Sequence, residues 1–390
     1  MQYLEFSESQ LADSHAAQLR VLQLLPDLSL GPTSRHALSI AQAIAQAGGH
    51  MAVASAGGRM EPQFRRAGTQ HITHEIRAGL FSNKSTLGLL EELHRANIAI
   101  LHVHQLEDGL AAKALAEAAN IPLVMTCHDL PDSSHFFARR STRKHLAGRP
   151  LMTVSKYLAS RLIDDYGLPA EIVHPIPTGL DIADFNEEGV TTQRTIALAD
   201  KWGIVEDPRA VALIPCANTD SGWLKSILST IADPDMPDMI WVLVAEGTGV
   251  APEISDLLVR GGIADRIRWV EHVDDWPAAY KLASVVVDLP ATPRAHASAA
   301  LQAQAMGRPV ILNDIGAASE AMLPERTGWL LPAKEPGALV AAMQMVTARD
   351  ELQRAALAMM ARNFIATEHS VAAMQQAVLM HYTTALSATP

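Results

Sequence analysis

Short apolar runs alternate with longer segments of helical period along most of this chain, and this alternation limits the fold more than any other feature. The apolar runs have the length of buried strands, and the segments between them have the length of helices. This order is typical of βαβ units, in which helices cover a parallel sheet. The predicted strands are Val21–Leu25, Met51–Ala54, Ile98–Val103, Pro122–Thr126 and Leu151–Val154, then Ala210–Ile214, Met239–Val244, Ile267–Val270, Val285–Asp288, Pro309–Leu312 and Gly328–Leu331.

The strands fall into two series, which predicts an α/β protein with two doubly wound, Rossmann-like parallel-sheet domains. A length of 390 residues suits about two domains. We expect the first domain over residues 1–185 and the second over residues 190–368, joined by a linker from Pro175 to about Asp200. Domains of this kind usually bind a small polar ligand at the carboxyl ends of their strands.

Charge and cysteine content exclude several classes of protein. The formal net charge is −11, which argues against a nucleic-acid partner because such proteins attract phosphates with a basic surface. The two cysteines, Cys127 and Cys216, are too few for a disulfide framework, and both are predicted to lie at buried strand ends. No apolar run approaches the roughly 18 residues of a membrane-spanning helix. These features predict a cytoplasmic protein.

A basic segment follows Phe136–Phe137. It contains Arg139, Arg140, Arg143, Lys144, His145 and Arg149. A basic face beside apolar residues can contact anionic lipid headgroups. Residues 136–149 are therefore either a peripheral contact with the inner face of a membrane or a solvated helix face.

Four segments resemble, in order and spacing, the retaining glycosyltransferases of family four, which have the GT-B fold. They are residues 21–50, 153–185, 266–292 and 302–332. The resemblance implies that the two domains face each other across a cleft, the first binding a saccharide or lipid-linked acceptor and the second a nucleoside-diphosphate sugar as donor substrate. It also implies that a C-terminal helix, residues 370–386, packs back onto the first domain. No metal or other cofactor is required.

The residues that stabilise the diphosphate in that family are replaced here. Breaking the sugar–phosphate bond leaves negative charge on the diphosphate, which cations or N–H donors must stabilise. The family has an Arg shortly after the first strand of the second domain and a Lys about five residues later, and this sequence has Ala217 and Gly222 at those positions. Lys225 can substitute only if the loop is rearranged.

A pair of family glutamates, spaced Glu-x7-Glu, is also replaced. The positions that meet the transferred sugar and the ribose are Arg294 and Gln302. Gln302 can still hydrogen-bond a diol, although more weakly than a carboxylate. Arg294 reverses the charge; if it points into the cleft it offsets the missing Arg and Lys.

Several donor-side residues do match the family. Gly316 and Glu320, preceded by Asp314, match the glycine turn and acid that contact the donor, although an ordinary strand-to-helix turn explains them equally well. Gly31 matches the first glycine of a Gly-Gly turn near the donor phosphate. The second glycine is Pro32, which has no N–H to donate.

Histidines mark the acceptor side. His128 matches a family histidine that positions an acceptor hydroxyl or acts on its proton, and a structural histidine is the alternative. His102 and His104 alternate on a strand with no metal-type companions. We therefore predict that they are polar strand-end residues and that no metal site is present.

Two functions remain open from the sequence. One is an active retaining glycosyltransferase that moves a hexose from a nucleotide sugar to an envelope saccharide or lipid-linked acceptor. The other is a weakly active or noncatalytic homologue in envelope saccharide or lipopolysaccharide assembly, which acts as a partner or regulator of another glycosyltransferase. The replaced donor residues favour the second. A GT-B epimerase would need an acidic constellation that the sequence does not show.

Overall fold

The computed structural model describes residues 19–74, 83–104, 109–130, 140, 142–143, 146, 149–217, 220–245, 258–332, 335 and 337–387. The chain divides into two compact units. The first runs to Gly179 and resumes at Val371, and the second is Leu180–Ser370.

A sheet of seven parallel strands forms the centre of the first unit, in the order β3-β2-β1-β4-β5-β6-β7. The strands are β1 (Arg20–Leu24), β2 (His50–Ser55), β3 (Gln70–Thr73), β4 (Ile100–Val103), β5 (Leu123–Cys127), β6 (Leu151–Thr153) and β7 (Val173–Pro175). The winding direction reverses between β1 and β4, which creates a crevice at the carboxyl ends of these strands.

Six described helices belong to the first unit. They are α1 (Pro32–Gln46), α2 (Glu61–Arg66), α3 (Asn83–Arg95), α4 (Gly109–Ala119), α5 (Lys156–Tyr166) and the C-terminal α12 (Val371–Ser387). Pro32 is the first residue of α1, where its fixed φ and missing N–H cost the helix nothing. The apolar side of α12 buries Met374, Val378 and Tyr382 in the core that also contains Ile40 of α1.

The second unit contains six parallel strands in the order β10-β9-β8-β11-β12-β13. The strands are β8 (Val211–Ile214), β9 (Ile240–Val244), β10 (Ile267–Val270), β11 (Ala283–Asp288), β12 (Val310–Asn313) and β13 (Gly328–Leu331). Its described helices are α6 (Thr192–Lys201), α7 (Ser221–Ile231), α8 (Trp276–Leu282), α9 (Ser298–Ala305), α10 (Ala338–Thr347) and α11 (Glu351–Glu368).

Side chains along each strand of this unit point alternately to the two faces of the sheet, and each face has its own hydrophobic core. On β8, Val211 and Leu213 pack into one cluster, whereas Ala212 and Ile214 pack into the cluster on the other face. Successive side chains of a strand point to opposite faces, so a sheet covered on both sides needs apolar residues at every position. The uninterrupted apolar runs in the sequence arise from this requirement, and the predicted architecture of two Rossmann-like parallel-sheet units is confirmed.

The predicted linker is wrong in its second half. Residues 192–201 form α6, which Thr191 caps by accepting a hydrogen bond from the N–H of Arg194 at 3.3 Å. Leu198 and Ala199 are buried in the core of the second unit. Phe185 and Val190 are buried in the same core, so residues before α6 also pack in the second unit, and the amphipathic period of residues 192–201 is the sequence signal of α6.

Two further observations bear on the sequence predictions. Cys127 is buried as expected, but Cys216 is exposed, because β8 ends at Ile214 and Cys216 lies in the turn beyond it. Among the residues that the structure describes, no helix is long and apolar enough to cross a membrane.

Candidate active site

The carboxyl ends of the strands in the second unit carry most of the residues predicted to hold a donor. The order of the strands reverses between β8 and β11, and a ligand of this fold class binds at such a reversal. The loops after β8, β11 and β12 meet at this edge. Their side chains decide whether a diphosphate would be stabilised there.

The N-terminus of α7, which follows β8, is capped by an acid. The Asp220 Oδ1 atom accepts hydrogen bonds from the N–H groups of Gly222 at 2.9 Å and Trp223 at 3.0 Å. A helix N-terminus attracts anions through such unpaired N–H groups. Here the Asp220 carboxylate already accepts hydrogen bonds from two of these N–H groups, so they are not available to bind a phosphate.

Neither Ala217 nor Gly222 supplies a cation beside this cap. Ala217 is buried, and its N–H donates to the carbonyl of Val244 at 2.8 Å. Gly222 is exposed and has no side chain. Lys225 lies one turn into α7 with its side chain exposed to solvent.

Arg294, in the loop after β11, is held by a buried acid. Its Nη1 atom lies 3.2 Å and 3.4 Å from the two carboxylate oxygens of Asp288, the last residue of β11. Asp288 is 2 % exposed, whereas the side chain of Arg294 is 38 % exposed. Burial raises the pKa of the Asp288 carboxyl, while Arg294 opposes that rise. The guanidinium therefore neutralises a carboxylate of its own chain.

Gly316 allows the loop after β12 to contact the loop of Arg294. Its φ is +63°, and a Cβ at this position would lie 2.5 Å from the carbonyl oxygen of Arg294. The next residue, Ala317, donates its N–H to that carbonyl at 3.0 Å. A cavity of about 10 Å³ beside Arg294 has room for roughly one water molecule. The glycine turn is thus explained by packing of the protein against itself.

The other predicted donor-side residues, Gln302, Asp314 and Glu320, contact residues of the second unit. Gln302, on α9, accepts a hydrogen bond from the hydroxyl of Tyr280 at 3.0 Å, and burial of Tyr280 raises the pKa of that hydroxyl. Asp314 is exposed, and its N–H donates to the carbonyl of Leu331 at 3.0 Å. The carbonyl of Glu320 lies 3.0 Å from the Nε2 atom of His369.

A cluster of buried histidines lies at the carboxyl ends of β4 and β5 in the first unit. His36 is in the first turns of α1, His104 directly follows β4, and His128 directly follows β5. Their exposures are 4 %, 3 % and 6 %. The ring centroids of His36 and His128 are 4.9 Å apart, and those of His104 and His128 are 5.2 Å apart.

A chain of hydrogen bonds orients this cluster. The Nε2 atom of Gln23, on β1, donates to the carbonyl of Ala37 at 2.9 Å, which turns the Oε1 atom of Gln23 toward Nε2 of His104 at 2.6 Å. The Nδ1 atom of His104 lies 2.9 Å from Nε2 of His128. Since a carbonyl oxygen only accepts, Nε2 of His104 is the donor, and its Nδ1 carries a lone pair when the ring is neutral.

His102 links this region to α12. Its Nδ1 atom lies 2.6 Å from the hydroxyl of Tyr382 and its Nε2 atom 2.7 Å from the Oγ1 of Thr126. Burial lowers the pKa of His102 and of His104 well below the usual value, and neighbouring histidines lower them further. Both rings are therefore neutral near pH 7.

The prediction that His104 has no metal-type companions is wrong, whereas His102 is not part of such a group among the described residues. His36, His104 and His128 form a group that could hold a metal ion. The strand order brings the group together, because β1 and β4 are neighbours at a reversal of the sheet and the first turns of α1 therefore meet the end of β4. His128 has a place in this cluster, but its expected role toward an acceptor stays a prediction.

Gly31 and the basic segment 136–149 are the other features that the sequence singled out. Gly31 is the N-cap of α1, with its N–H bonded to the carbonyl of Ser29 at 2.8 Å. In the basic segment 136–149, Phe136, Phe137, Arg139, Lys144 and His145 lie outside the described residues. The peripheral membrane contact stays a prediction.

Both halves of the chain match glycosyltransferase families. Residues 33–184 match Glycosyltransferase Family 4, and residues 218–349 match Glycosyl transferases group 1. A glycosyltransferase from Rickettsia africae has a similar fold, with a TM-score of 0.83 at 16 % identity over 95 % of this chain and 99 % of that one. The chain is of the GT-B glycosyltransferase type.

Two more proteins resemble this GT-B chain. Anabaena HepE, solved in complex with UDP and glucose, has a TM-score of 0.77 at 16 % identity over 94 % of this chain and 100 % of that one. A D-inositol 3-phosphate glycosyltransferase from Geodermatophilus obscurus is 27 % identical over 278 residues, which are 65 % of this chain. The match spans 60 % of that relative's length.

Proposed function

We propose that this GT-B chain is a weakly active or noncatalytic glycosyltransferase homologue that acts as a partner or regulator of another transferase. One observation carries the proposal: two charged groups at the strand ends of the second unit, Arg294 and Asp220, are bound within the chain itself. Arg294 pairs with the buried Asp288, and Asp220 covers the N-terminus of α7.

The size of the expected defect follows from the contacts that are missing. Each charge-assisted contact to a developing diphosphate is worth about 2 to 4 kcal/mol of transition-state stabilisation. Ala217 and Gly222 supply no charge in place of the family's two cations. Even with non-additive losses, the rate of hexosyl transfer falls by several powers of ten.

Calorimetric titration of the full chain with UDP, GDP, ADP, UDP-glucose and GDP-mannose tests the proposal. We expect no binding at millimolar ligand. The double variant Ala217→Arg, Gly222→Lys returns the family's cations, and we expect it to gain measurable affinity. A Cβ at position 222 would lie 3.1 Å from Asp220 Oδ1, so the lysine requires that carboxylate to shift by a few tenths of an ångström, and circular dichroism must show that the variant folds. Lys225→Ala is the control and should change nothing.

The alternative is an active retaining transferase with a rebuilt donor site, and one observation favours it. The side chain of Arg294 is 38 % exposed although it pairs with Asp288, so part of its guanidinium is accessible to an anion, and burial raises the pKa of the opposing Asp288 carboxyl. This alternative predicts that the wild type binds one nucleotide with micromolar affinity. Arg294→Ala would abolish that binding, whereas Arg354→Ala, on the exposed face of α11, would keep it. Such a result would contradict our proposal.

The acceptor belongs to the proposal as well. We assign a saccharide or lipid-linked acceptor to the first unit, where His128 lies, and a cytoplasmic location with at most a peripheral membrane contact through residues 136–149. The name of the curated relative adds an inositol phosphate to the acceptors worth testing. Transfer assays with these acceptors should follow only if a nucleotide sugar binds.

A further inference from the structure

Three imidazoles from three different elements converge in the first unit. One ring nitrogen from each of His36, His104 and His128 lies within 4.8 Å of the other two. We propose that these three histidines form a binding site for a divalent late first-row metal ion, with Zn²⁺ as the reference ion. This inference does not rest on the proposed function, because it concerns the first unit and holds whether or not a donor binds.

Two of the three nitrogens have a separation close to what such an ion requires, and the nitrogen of His36, within 4.8 Å of them, must move closer when the ion binds. Zinc–nitrogen bonds of 2.0–2.1 Å in a tetrahedral site place two ligand nitrogens about 3.3 Å apart. His104 Nδ1 and His128 Nε2 are 2.9 Å apart in a hydrogen bond that His128 Nε2–H donates, so the pair opens slightly and that proton moves to Nδ1 of His128 or to solvent when the ion binds. The ring plane of His36 is inclined at 83° to that of His128, and their centroids are 4.9 Å apart. His36 therefore borders the space between the other two rings from a third direction.

Gln23 fixes the ligand atom of His104. A histidine that binds a metal usually donates its other ring N–H to an oxygen acceptor, which sets the tautomer and aims the lone pair. Here Nε2–H of His104 donates to Gln23 Oε1, and Gln23 is itself held by the carbonyl of Ala37. The lone pair of His104 Nδ1 therefore points toward His128 before any ion arrives. Gln23 is a positioning residue of the site.

The donor set selects the class of ion. Imidazole suits zinc, copper, nickel and iron, whereas magnesium and calcium require several oxygen ligands. Among the residues that the structure describes, the site contributes three imidazole nitrogens and no carboxylate. Three histidines leave a fourth position of a tetrahedral ion to water or to a hydroxyl group.

The test begins with the full wild-type chain, stripped with a chelator and dialysed. Titration with Co²⁺, followed by absorption of visible light, should show one equivalent bound with the intense bands of a tetrahedral ion, and one equivalent of Zn²⁺ should remove them. Absence of one-to-one binding overturns the proposal, and this result does not depend on any variant.

Variants then locate the site. His36→Gln should weaken Zn²⁺ binding by at least 100-fold, while His272→Gln, which alters a side chain that is 73 % exposed in the second unit, should leave it unchanged. Gln23→Leu should weaken binding by about 10- to 100-fold without changing the stoichiometry. Circular dichroism confirms folding of each variant. Unchanged affinity in a folded His36→Gln protein would place the ion elsewhere and overturn the assignment.

Discussion

Gly316 and Arg294 show how a match to a family motif can arise from packing alone. The glycine is required because its φ is positive and because the backbone of Arg294 occupies the space of a Cβ. The arginine is required by a buried carboxylate, since Asp288 alone at 2 % exposure would be a costly unpaired charge. Both residues are explained without a ligand.

Gly316→Ala should therefore lower the free energy of unfolding by about 1–3 kcal/mol, the usual cost of a left-handed conformation in a residue with a side chain. The contact with Arg294 acts in the same direction. Urea denaturation measures the loss. The control is Gly189→Ala, since Gly189 has an ordinary φ and a Cβ added there would have no atom within 4 Å. Equal stability of the two variants would contradict this account.

Tyr382→Phe tests the buried contact between α12 and His102. The substitution removes the hydroxyl that lies 2.6 Å from Nδ1 of His102 and leaves that nitrogen without this partner in the core. A buried polar group that loses its partner costs about 1–3 kcal/mol. Thr384→Ala, on the exposed side of the same helix, should cost far less. A neutral Tyr382→Phe would show that the hydroxyl contributes nothing to stability.

At the scale of elements, the sequence identified the buried strands well and the polar elements poorly. The predicted runs Ile267–Val270 and Gly328–Leu331 match β10 and β13, the two edge strands of the second sheet, residue for residue. Central strands such as β8 were also predicted, because strands covered on both faces are apolar at every position. The edge strand Gln70–Thr73 escaped detection because only one of its residues, Ile72, is aliphatic. The histidine cluster escaped because it joins three segments that only the strand order brings together.

The cap of α7 gives a prediction at this scale. Asp220→Ala removes a side chain that accepts two backbone hydrogen bonds, so the free energy of unfolding should fall by about 0.5–2 kcal/mol. The same change exposes the N–H groups of Gly222 and Trp223, and binding of UDP should become detectable by calorimetry.

Asp350→Ala is the matched control for that variant. Asp350 caps α11 in a capping box, so its loss should cost similar stability without affecting nucleotide binding. If Asp220→Ala gained no more affinity than Asp350→Ala, the acid at the N-terminus of α7 would not be what excludes the anion.

At the scale of the whole molecule, the two units differ in the groups that titrate. Burial and nearby His174 lower the pKa of His381, on α12 of the first unit, to about 4. In the second unit, the Arg209 side chain lowers the pKa of Asp207 to about 2, and Arg194 lowers that of Asp275. Both units lose stability in acid, but over different ranges of pH.

The sign of each effect follows from proton uptake. Unfolded histidine takes up a proton near pH 6.5, before folded His381 does, so the first unit should lose stability as the pH falls from about 6.5 toward 4. Unfolded Asp takes up a proton near pH 4, before folded Asp207 does, so the second unit should weaken only below about pH 4. Hydrogen exchange followed by mass spectrometry measures this, with a chelator present to remove bound metal and with the exchange rates corrected for their intrinsic dependence on pH. Between pH 7 and pH 5, amide protection should fall in the first unit alone. His381→Gln should reduce that loss, and equal losses in both units over this range would contradict the assignment.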